Sequence, residues 1–341
     1  MQDVADRAGV SISSVSFVIN GTKRVRPETR ERIERAMSEL GFRQNVVARA
    51  LASRRTHVIA VTLPYEALDG NGQPFLSSAA RAARSVNHHL VVWPDDDGGD
   101  LAALAGGGLV DGVVLMGVRL QDPRVTLLQS LDFPFALIGR TEDPSGLPCV
   151  DCDIDASLAE AMDYLLSLGH RSIVLVSGAN DEADADSFGA NVRTETAFLA
   201  QAEAAGVEAK IMRTRHTVQA GRSAALRFLR EAPTATAAII RTDMAAAGFV
   251  GGLLTQGVQV PADVSVISFL TSDTVAAMPQ PSLTYVATPA EELARLAVEA
   301  LLRRLCGEPA RDPILRPGKL VIGESTGPAK RASTAAVADR R

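Results

Sequence analysis

The chain has 341 residues, of which 46% are hydrophobic and 4% aromatic. This length is enough for two or three compact units, and a composition rich in Ala, Leu and Val fits α/β domains better than an all-β fold. No apolar run approaches the roughly 18 residues of a transmembrane helix, and acidic residues stand where a signal peptide carries basic ones, so we expect a cytoplasmic protein with no membrane partner.

The charge is unevenly distributed along the chain. Residues 1–56 hold eleven Lys and Arg against six Asp and Glu, a net charge of +5, whereas the rest holds 24 basic against 34 acidic side chains, a net charge of −10. The overall charge of −5 therefore hides a basic N-terminal segment on an acidic body. Such asymmetry indicates that the N-terminal segment meets a polyanion, although an ordinary solvated surface would give the same count.

The first forty residues carry three short helical patterns. The first covers residues 2–8 and ends at Gly9, since glycine tolerates the left-handed backbone of a helix C-terminus. The hydroxyl of Ser11 is placed to cap a second helix over residues 12–19. A third helix begins with Pro27 at its first position, acidic residues in its first turn and an apolar stripe of Ile33, Ala36, Met37 and Leu40.

A helix, a glycine-containing turn and a second helix form the arrangement of a helix-turn-helix. If Val15, Val18 and Ile19 face the first helix, the second helix presents its small polar and apolar side chains outward: Ile12, Ser13, Ser16 and Phe17. Small hydroxyl residues near a helix N-terminus suit contact with phosphates. By pattern alone an ordinary amphipathic helical pair would look similar, but the third helix favours a compact DNA-binding headpiece over residues 1–44.

The stretch DVADRAGVSISSVSFVINGTKRVRPETRERIERAMSELGFRQNVVARALAS resembles the headpiece of the lactose-repressor/galactose-repressor (LacI/GalR) family, and SLGHRSIVLVSG, VPADVSVISF and VIGESTGP extend the resemblance to about residue 327. The resemblance implies that base edges are read by Ile12, Ser13 and Phe17. It implies contacts with the phosphate backbone from Ser11, Ser14, Ser16, Asn20, Thr29 and Asn45. The family usually has Arg at the position of Phe17, and phenylalanine cannot make the two hydrogen bonds by which arginine recognises guanine.

Residues 45–52 form a helical pattern too short to be stable alone in water, and residues 45–56 are expected to link the headpiece to the body. The resemblance implies that two copies of this hinge fold side by side in the DNA minor groove. Leu51 would then wedge between base pairs, with Ala48 and Arg49 beside it. The same leucine would also serve as an ordinary packing residue. The paired hinge implies a homodimer on a two-fold symmetric operator.

From residue 57 strands and helices alternate, which predicts parallel sheets. Strands are expected at 57–64, 89–93, 111–117, 134–139, 149–153, 172–178, 209–213, 237–243 and 264–269, and helices at 74–88, 155–168, 191–205 and 289–306. The fold class is therefore a small all-α headpiece followed by two doubly wound parallel-sheet subdomains, which the resemblance identifies as the periplasmic-binding-protein-like type I. We expect an N-subdomain at 57–153 plus 285–312, a C-subdomain at 154–284 plus 313–327, and a disordered tail at 328–341.

Ligands of such sheets bind at the carboxyl ends of the strands, in the crevice between the halves. The resemblance implies effector contacts from Phe75, Arg193, Thr242, Asp243 and Leu270. Leucine at position 270 replaces the usual Asp and accepts no hydrogen bond. The ligand is therefore less polar than a simple sugar, or its recognition has moved, or it has been lost. Asp243 would equally suit capping of the helix that follows.

Catalytic and cofactor signals are absent from the sequence. It has no G-x-S-x-G, phosphate loop or dinucleotide fingerprint. Cys149 and Cys152 form a C-x-x-C with no second pair to complete a metal site, so we expect small core residues there. We expect no enzyme, no cofactor and no metal.

The sequence thus predicts a dimeric transcriptional regulator, a repressor, controlled by a small carbohydrate-related effector in the cleft. A solute-binding protein of a transporter would share the body but would carry a signal peptide and no headpiece. A DNA-bending protein that senses no ligand is the other alternative, and the apolar Leu270 is consistent with it. The observation that separates the regulator from this last class is whether polar groups line a ligand-sized space in the cleft.

Overall fold

The computed structural model describes residues 1–20, 23–41, 55–63, 72–93, 99–178 and 188–330. The chain divides into two compact units, residues 1–56 and residues 57–341. This division falls where the composition changes from basic to acidic. We call the first unit the headpiece unit and the second the body.

The headpiece unit contains helices α1 (Gln2–Ala8), α2 (Ile12–Asn20) and α3 (Pro27–Glu39). Gly9 ends α1 with φ +63°, the left-handed conformation expected for it. The three helices enclose a small apolar core of Val4, Ala5, Ala8, Val15, Val18, Ile33 and Ala36. The expected stripe of α3 is wrong at Leu40, which is 46% exposed because the helix has ended at Glu39.

The body contains two six-stranded sheets. The first consists of β1 (Val58–Thr62), β2 (His89–Val92), β3 (Gly112–Leu115), β4 (Phe135–Ile138), β5 (Cys149–Asp153) and β11 (Ile314–Pro317), in the order β11-β5-β4-β3-β1-β2 and parallel throughout. The second consists of β6 (Ser172–Gly178), β7 (Glu208–Thr214), β8 (Ala237–Ile240), β9 (Ser265–Thr271), β10 (Thr284–Ala287) and β12 (Lys319–Val321). Its strand order is β12-β10-β9-β8-β6-β7. All its strands are parallel except β12, which is antiparallel to β10.

Nine helices connect and cover these sheets in the described part of the body: α4 (Gly72–Ser85), α5 (Leu101–Gly106), α6 (Pro123–Ser130), α7 (Ile154–Ser167), α8 (Gly189–Ala205), α9 (Val218–Glu231), α10 (Asp243–Thr255), α11 (Asp273–Ala276) and α12 (Ala290–Leu305). The predicted fold class, an α-helical headpiece followed by two parallel-sheet α/β subdomains, is confirmed. Cys149 and Cys152 are buried in β5, in the core positions expected for them.

The chain changes sheet at two places that differ from those expected. Residues 285–312 were assigned to the N-subdomain, but β10 pairs with β9 in the second sheet, with Val286 opposite Phe269. Residues 313–327 were assigned to the C-subdomain, but β11 pairs with β5 in the first sheet. The last change occurs at Gly318, where a Cβ would lie 2.6 Å from a methyl carbon of Val286. Short edge strands on either side of a glycine gave no boundary signal in the sequence.

The C-terminal segment is fixed to the second sheet by the buried imidazole of His170. Its Nδ1 lies 2.8 Å from the Thr236 hydroxyl, and its Nε2 lies 3.0 Å from the Ser265 hydroxyl and 3.1 Å from the Gly327 carbonyl oxygen. The chain then continues to Ala329, whose N–H donates to the Leu168 carbonyl at 2.8 Å. Ala329 and Lys330, in the tail expected to be disordered, are thus hydrogen-bonded, whereas 331–341 lie outside the described residues.

Candidate nucleic-acid interface and ligand cleft

The N-terminal end of α2 is exposed while its opposite face is buried. Ile12 is 43% exposed and Ser13 is also exposed, whereas Val15 is fully buried against the other helices. The Ser11 hydroxyl accepts the N–H of Ser14 at 3.2 Å and so caps the helix as expected. No acidic residue lies in the first turn. The first N–H groups of α2 and the exposed Ser13 hydroxyl are therefore available to an anion such as a phosphate.

The predicted DNA-contacting residues of the headpiece unit have different environments. Phe17 is half-buried, and the Lys23 ammonium nitrogen lies 5.0 Å from the centroid of its ring. Ser14, Ser16 and Thr29 are half-buried. The side chain of Asn20, and the hinge residues Asn45, Ala48, Arg49 and Leu51, lie outside the described part of the chain.

Two arginines hold α1 and α3 together beneath the turn. The Arg32 guanidinium donates from Nε to the Ala8 carbonyl at 3.1 Å and from Nη2 to the Gly9 carbonyl at 3.0 Å, and Nη2 also contacts the Ala8 carbonyl. Arg7 pairs with Glu39 at 2.6 Å. These bonds occupy the carbonyls at the end of α1 and fix the turn into α2. Arg32 did not emerge from the sequence, because a charged residue on a helix pattern resembles a solvated face.

In the body, a charged cluster joins the carboxyl ends of the two sheets. Arg140 follows β4 and Asp151 lies in β5, whereas Arg193 comes from α8 beside the second sheet. Arg140 Nε and Arg193 Nη2 each lie 3.2 Å from the same Asp151 oxygen, Oδ2, and Arg193 Nη1 donates to the Arg140 carbonyl at 3.1 Å. Arg193 therefore spans the crevice between the subdomains. Burial lowers the pKa of its guanidinium, an effect that Asp151 partly opposes.

The end of β8 supplies the next three residues of the cleft, Arg241, Thr242 and Asp243. Arg241 follows the strand directly, and burial lowers the pKa of its guanidinium. Thr242 stands at the N-cap of α10 without a side-chain capping bond and is 1% exposed. Asp243 is the first residue of α10 and its Oδ1 accepts the N–H of Met244 at 3.0 Å, so the N-cap position considered for Asp243 belongs to Thr242 instead.

Two residues expected to contact the effector are buried in the apolar core. Phe75 belongs to the core beneath α4, and its neighbours Pro74, Ser77 and Ser78 line the nearby cavity instead. Leu270 is also in that core and adopts φ +58°, a left-handed conformation that is unusual for leucine. A core position is typical of a packing residue, because side chains in a core are surrounded by other apolar atoms.

A cavity of about 410 Å³ opens between α4, α12 and the ends of β9 and β10. This volume lies in the range of small-molecule sites. Nine of its lining side chains are polar or aromatic: Ser77, Ser78, Arg81, Thr271, Ser272, Asp273, Tyr285, Thr288 and Glu291. Polar groups thus line a ligand-sized space between elements of the two subdomains.

Several buried hydroxyl groups have no hydrogen-bond partner among the described residues. All six lie on a strand or within two residues after its carboxyl end: Thr62, Ser177, Thr242, Ser268, Thr271 and Thr288. A buried hydroxyl without a partner costs free energy. Groups of this kind at the end of a parallel sheet are typical of a polar ligand site. Sequence reasoning missed Arg140, Asp151, Ser177 and Arg241, although each lies in a strand or within two residues after one.

A helix-turn-helix unit and a two-sheet body with a polar crevice define a DNA-binding protein with a body of the ligand-binding type. The model of the bacterial regulatory proteins of the lacI family matches residues 1–45, and that of the periplasmic binding protein-like domain matches residues 162–326. The HTH-type transcriptional regulator DegA of Bacillus subtilis is 32% identical over 337 residues, which cover 96% of this chain and 97% of the relative. The chain belongs to the LacI family and is a DNA-binding transcriptional regulator.

Solved structures of similar proteins agree with this assignment. The transcriptional regulator CelR–cellobiose complex has a TM-score of 0.70 at 27% identity, covering 95% of this chain and 98% of that one. The lac repressor dimer bound to operator and the anti-inducer ONPF has the same fold, with a TM-score of 0.80 at 22% identity and the same coverage. Within the described ranges, no helix is long and apolar enough to cross a membrane.

Proposed function

We propose that this regulator is a repressor that binds a pseudo-palindromic operator as a homodimer and is controlled by a small, carbohydrate-related effector in the cleft. The observation that carries the DNA-binding part is the N-terminal end of α2, where Ile12 and Ser13 are exposed and no acid opposes phosphate. The protein acts by binding rather than by catalysis, in the cytoplasm, where bacterial DNA lies.

The proposed contacts follow from this end of α2. Ile12, Ser13 and Phe17 read base edges in the major groove. The phosphate backbone is held by Ser11, Ser14, Ser16, Asn20, Thr29 and Asn45. The hinge residues Ala48, Arg49 and Leu51 enter the minor groove, where an apolar wedge opens a base step and bends the duplex.

Dimerisation is proposed because one headpiece offers few phosphate contacts. Two joined headpieces match a two-fold symmetric site and add their contacts. The edge strand β2 leaves Val91 and Val92 38% and 39% exposed, which suits a self-association surface on the N-subdomain. The similar lac repressor structure is itself described as a dimer on its operator.

The effector part of the proposal is supported by the polar cleft. A ligand that contacts both subdomains stabilises one arrangement of the two relative to each other. The Arg193–Asp151 ion pair is a described contact that such a ligand would alter. Coupling of about 1–3 kcal/mol would change DNA affinity roughly 5–150-fold. The effector contacts are proposed to involve Arg193, Thr242 and Asp243, with Phe75 and Leu270 packing behind them.

The decisive experiment is selection of bound duplexes from a randomised pool by the full-length protein at ordinary salt. We expect inverted repeats to be enriched, with two half-sites at a fixed spacing. Binding that shows no preference for any inverted repeat over random duplex would refute the proposal.

A DNA-bending protein that senses no ligand is the second candidate function. The cavity and the buried hydroxyls favour an effector, because a body without a ligand gains nothing from polar groups left without partners. A thermal-shift screen with sugars and nucleosides separates the two, since a ligand at 100 times its Kd adds about 2.7 kcal/mol of stability. Stabilisation by no member of the panel would favour the second candidate.

A further inference from the structure

The charges in the cleft are not balanced among the described residues. Three guanidiniums, those of Arg140, Arg193 and Arg241, lie near two carboxylates, those of Asp151 and Asp243. Arg140 and Arg193 share a single oxygen of Asp151, each at 3.2 Å. The second Asp151 oxygen accepts the N–H of Cys152 at 2.8 Å. Asp151 is thus fully engaged, and the described residues of the cluster carry an excess positive charge.

Arg241 is the guanidinium with the weakest compensation. Among the described residues it forms no ion pair, and its buried Nε atom has no hydrogen-bond partner. The Nε atom of Arg193 is likewise buried without a partner there. Asp243, the acid next to Arg241 along the chain, already accepts an N–H at the start of α10. A buried guanidinium whose N–H donors are not all satisfied is costly, so the unpartnered Nε atoms suit these two arginines to an anion supplied from outside the chain.

Two hydroxyl-bearing residues adjoin Arg241, one on the neighbouring strand and one next along the chain. The Arg241 N–H donates to the Val176 carbonyl at 2.9 Å, which places Ser177 beside it on the neighbouring strand. Ser177 is fully buried and Thr242 is 1% exposed, and neither hydroxyl has a partner in the described chain. Ser177 and Arg241 therefore occupy facing positions at the end of the sheet, and Thr242 follows as the next residue of the chain, so a guanidinium and two hydroxyls lie at this end of β6 and β8.

Apart from Asp151 and Asp243, whose charges act on Arg241, the described neighbours considered next bring no negative charge to this point. Ile240 pairs with Ser268, so Leu270 lies two residues beyond this pair on the adjoining strand, and leucine brings no charge. Gly178 allows His216 to approach, because a Cβ there would lie 2.7 Å from His216 Nε2. Burial lowers the pKa of His216 to about 4, so its ring is neutral at pH 7.

We infer that the effector is an anionic polyol, a phosphorylated sugar or a sugar acid, whose anionic group binds Arg241 and Arg193 with donors from Ser177 and Thr242. A planar guanidinium binds carboxylate and phosphate oxygens in pairs, which makes arginine the suitable partner for either group. The hydroxyl-lined cavity near Thr271 then receives the polyol part. This inference rests on the proposed effector control and names the chemical class of the effector.

The test uses the full chain and matched triplets of ligands. Calorimetric titration is carried out with glucose, glucose 6-phosphate and gluconate, with the corresponding galactose series, and with inorganic phosphate. We expect an anionic member to bind at least tenfold more tightly than its neutral parent. Preference for the phosphorylated or the carboxylated member identifies the source of the anion.

Variants assign the anion to the named residues. Arg241→Met is expected to weaken the anionic ligand roughly tenfold to a hundredfold and to leave the neutral parent unchanged. Thr242→Val removes a buried hydroxyl at nearly constant volume, so it keeps the fold and is expected to weaken the anion severalfold. Arg230→Met, on the exposed face of α9, is the control and is expected to change neither affinity.

Three outcomes would overturn the inference: no binding of any anionic member at 10 mM, equal binding of neutral and anionic members, or full anion affinity in both cleft variants. Operator selection by the ligand-free protein is measured separately. Specific operator binding without anion binding rejects this inference and leaves the regulator proposal intact. Anion binding that never alters operator affinity supports the inference and rejects effector control.

Discussion

Phe17 determines what the recognition helix reads at one position of the proposed interface. Its ring is half-buried beside the Lys23 ammonium, 5.0 Å away, and offers only apolar contact to a base edge. We expect Phe17→Arg to introduce a guanine preference worth about 1–3 kcal/mol over other bases, because arginine bonds guanine through two acceptors. Selection from a randomised duplex pool, compared with the unmodified protein, measures this change.

Phe17→Leu is the matched control for that substitution. It keeps an apolar side chain of similar reach, so we expect the preferred base at the contacted position to remain unchanged. If Phe17→Arg selects the same base as the natural chain, Phe17 does not contact a base edge.

His170 gives the body a dependence on pH. Burial lowers the pKa of its imidazole below the usual value, although the Gly327 carbonyl opposes this shift. The folded state therefore disfavours the protonated ring. The contribution of His170 to the free energy of unfolding is complete above the unfolded pKa near 6.5 and is lost as the pH falls below that value. Between pH 6.5 and 5.0 the binding of a single proton lowers the free energy of unfolding by at most about 2 kcal/mol.

The corresponding measurement is urea unfolding at pH 7.5 and pH 5.0. We expect the natural chain to lose more stability than His170→Asn over this interval, because asparagine keeps a hydrogen-bonding side chain but does not titrate. Equal losses in the two proteins would show that His170 is not responsible for the acid sensitivity.

Single residues differ in how far the sequence predicts their position. The cap of Ser11 and the burial of Val15 follow from helix periodicity, which acts locally. The burial of Phe75 and the left-handed backbone of Leu270 depend on contacts made across the fold, so a pattern cannot supply them. Arg241 was missed because one charged residue after an apolar strand resembles the start of a solvated loop.

Helices α9 and α10 approach each other closely enough for their backbones to touch. A Cβ at Gly248 of α10 would lie 2.0 Å from the Val218 carbonyl oxygen, and one at Gly221 of α9 would lie 2.1 Å from the Ala245 carbonyl oxygen. Gly248→Ala must therefore separate the two helices. We expect it to lower the free energy of unfolding by at least about 2 kcal/mol, as overpacking of a core does.

Gly251 provides the control within the same helix. Nothing lies within 4 Å of a Cβ built there, and alanine is the better helix former by about 1 kcal/mol. Gly251→Ala is therefore expected to leave stability unchanged or to raise it. Urea unfolding measures the stability of the two variants. Equal stability would mean that the close contact of α9 and α10 is not required for the stability of the body.

Individual elements were easier to predict from the sequence than the connections between them. The strand at 172–178 and the helix at 290–305 fall within a residue of expectation, because long periodic segments carry a strong signal. The assignments of β10 and β11 to subdomains were wrong, since strands of four residues pair wherever the neighbouring sheet offers an edge. Pairing across 160 residues leaves no local trace.

At the scale of the whole molecule, the basic headpiece unit and the acidic body have different partners. A net charge of +5 over residues 1–56 attracts DNA, and the −10 on the remainder disfavours contact of the body with DNA. The described excess of guanidiniums in the cleft is a local exception within that acidic body. A regulator built in this way confines its polyanion contacts to the headpiece and its small-ligand contacts to the crevice.

Arg26 allows the number of headpieces on the operator to be counted. It is exposed at the N-cap of α3 and makes no side-chain capping bond, so its guanidinium can reach a phosphate. Each phosphate contact adds about 0.9 to the slope of log affinity against log salt concentration. Arg26→Gln is therefore expected to reduce the slope by about two when a dimer binds, and by about one when a single headpiece binds, with the same loss on every duplex sequence. Arg295→Gln, on the exposed face of α12, is the control and is expected to leave the slope unchanged. A slope that Arg26→Gln leaves unaltered would show that α3 does not face the phosphate backbone.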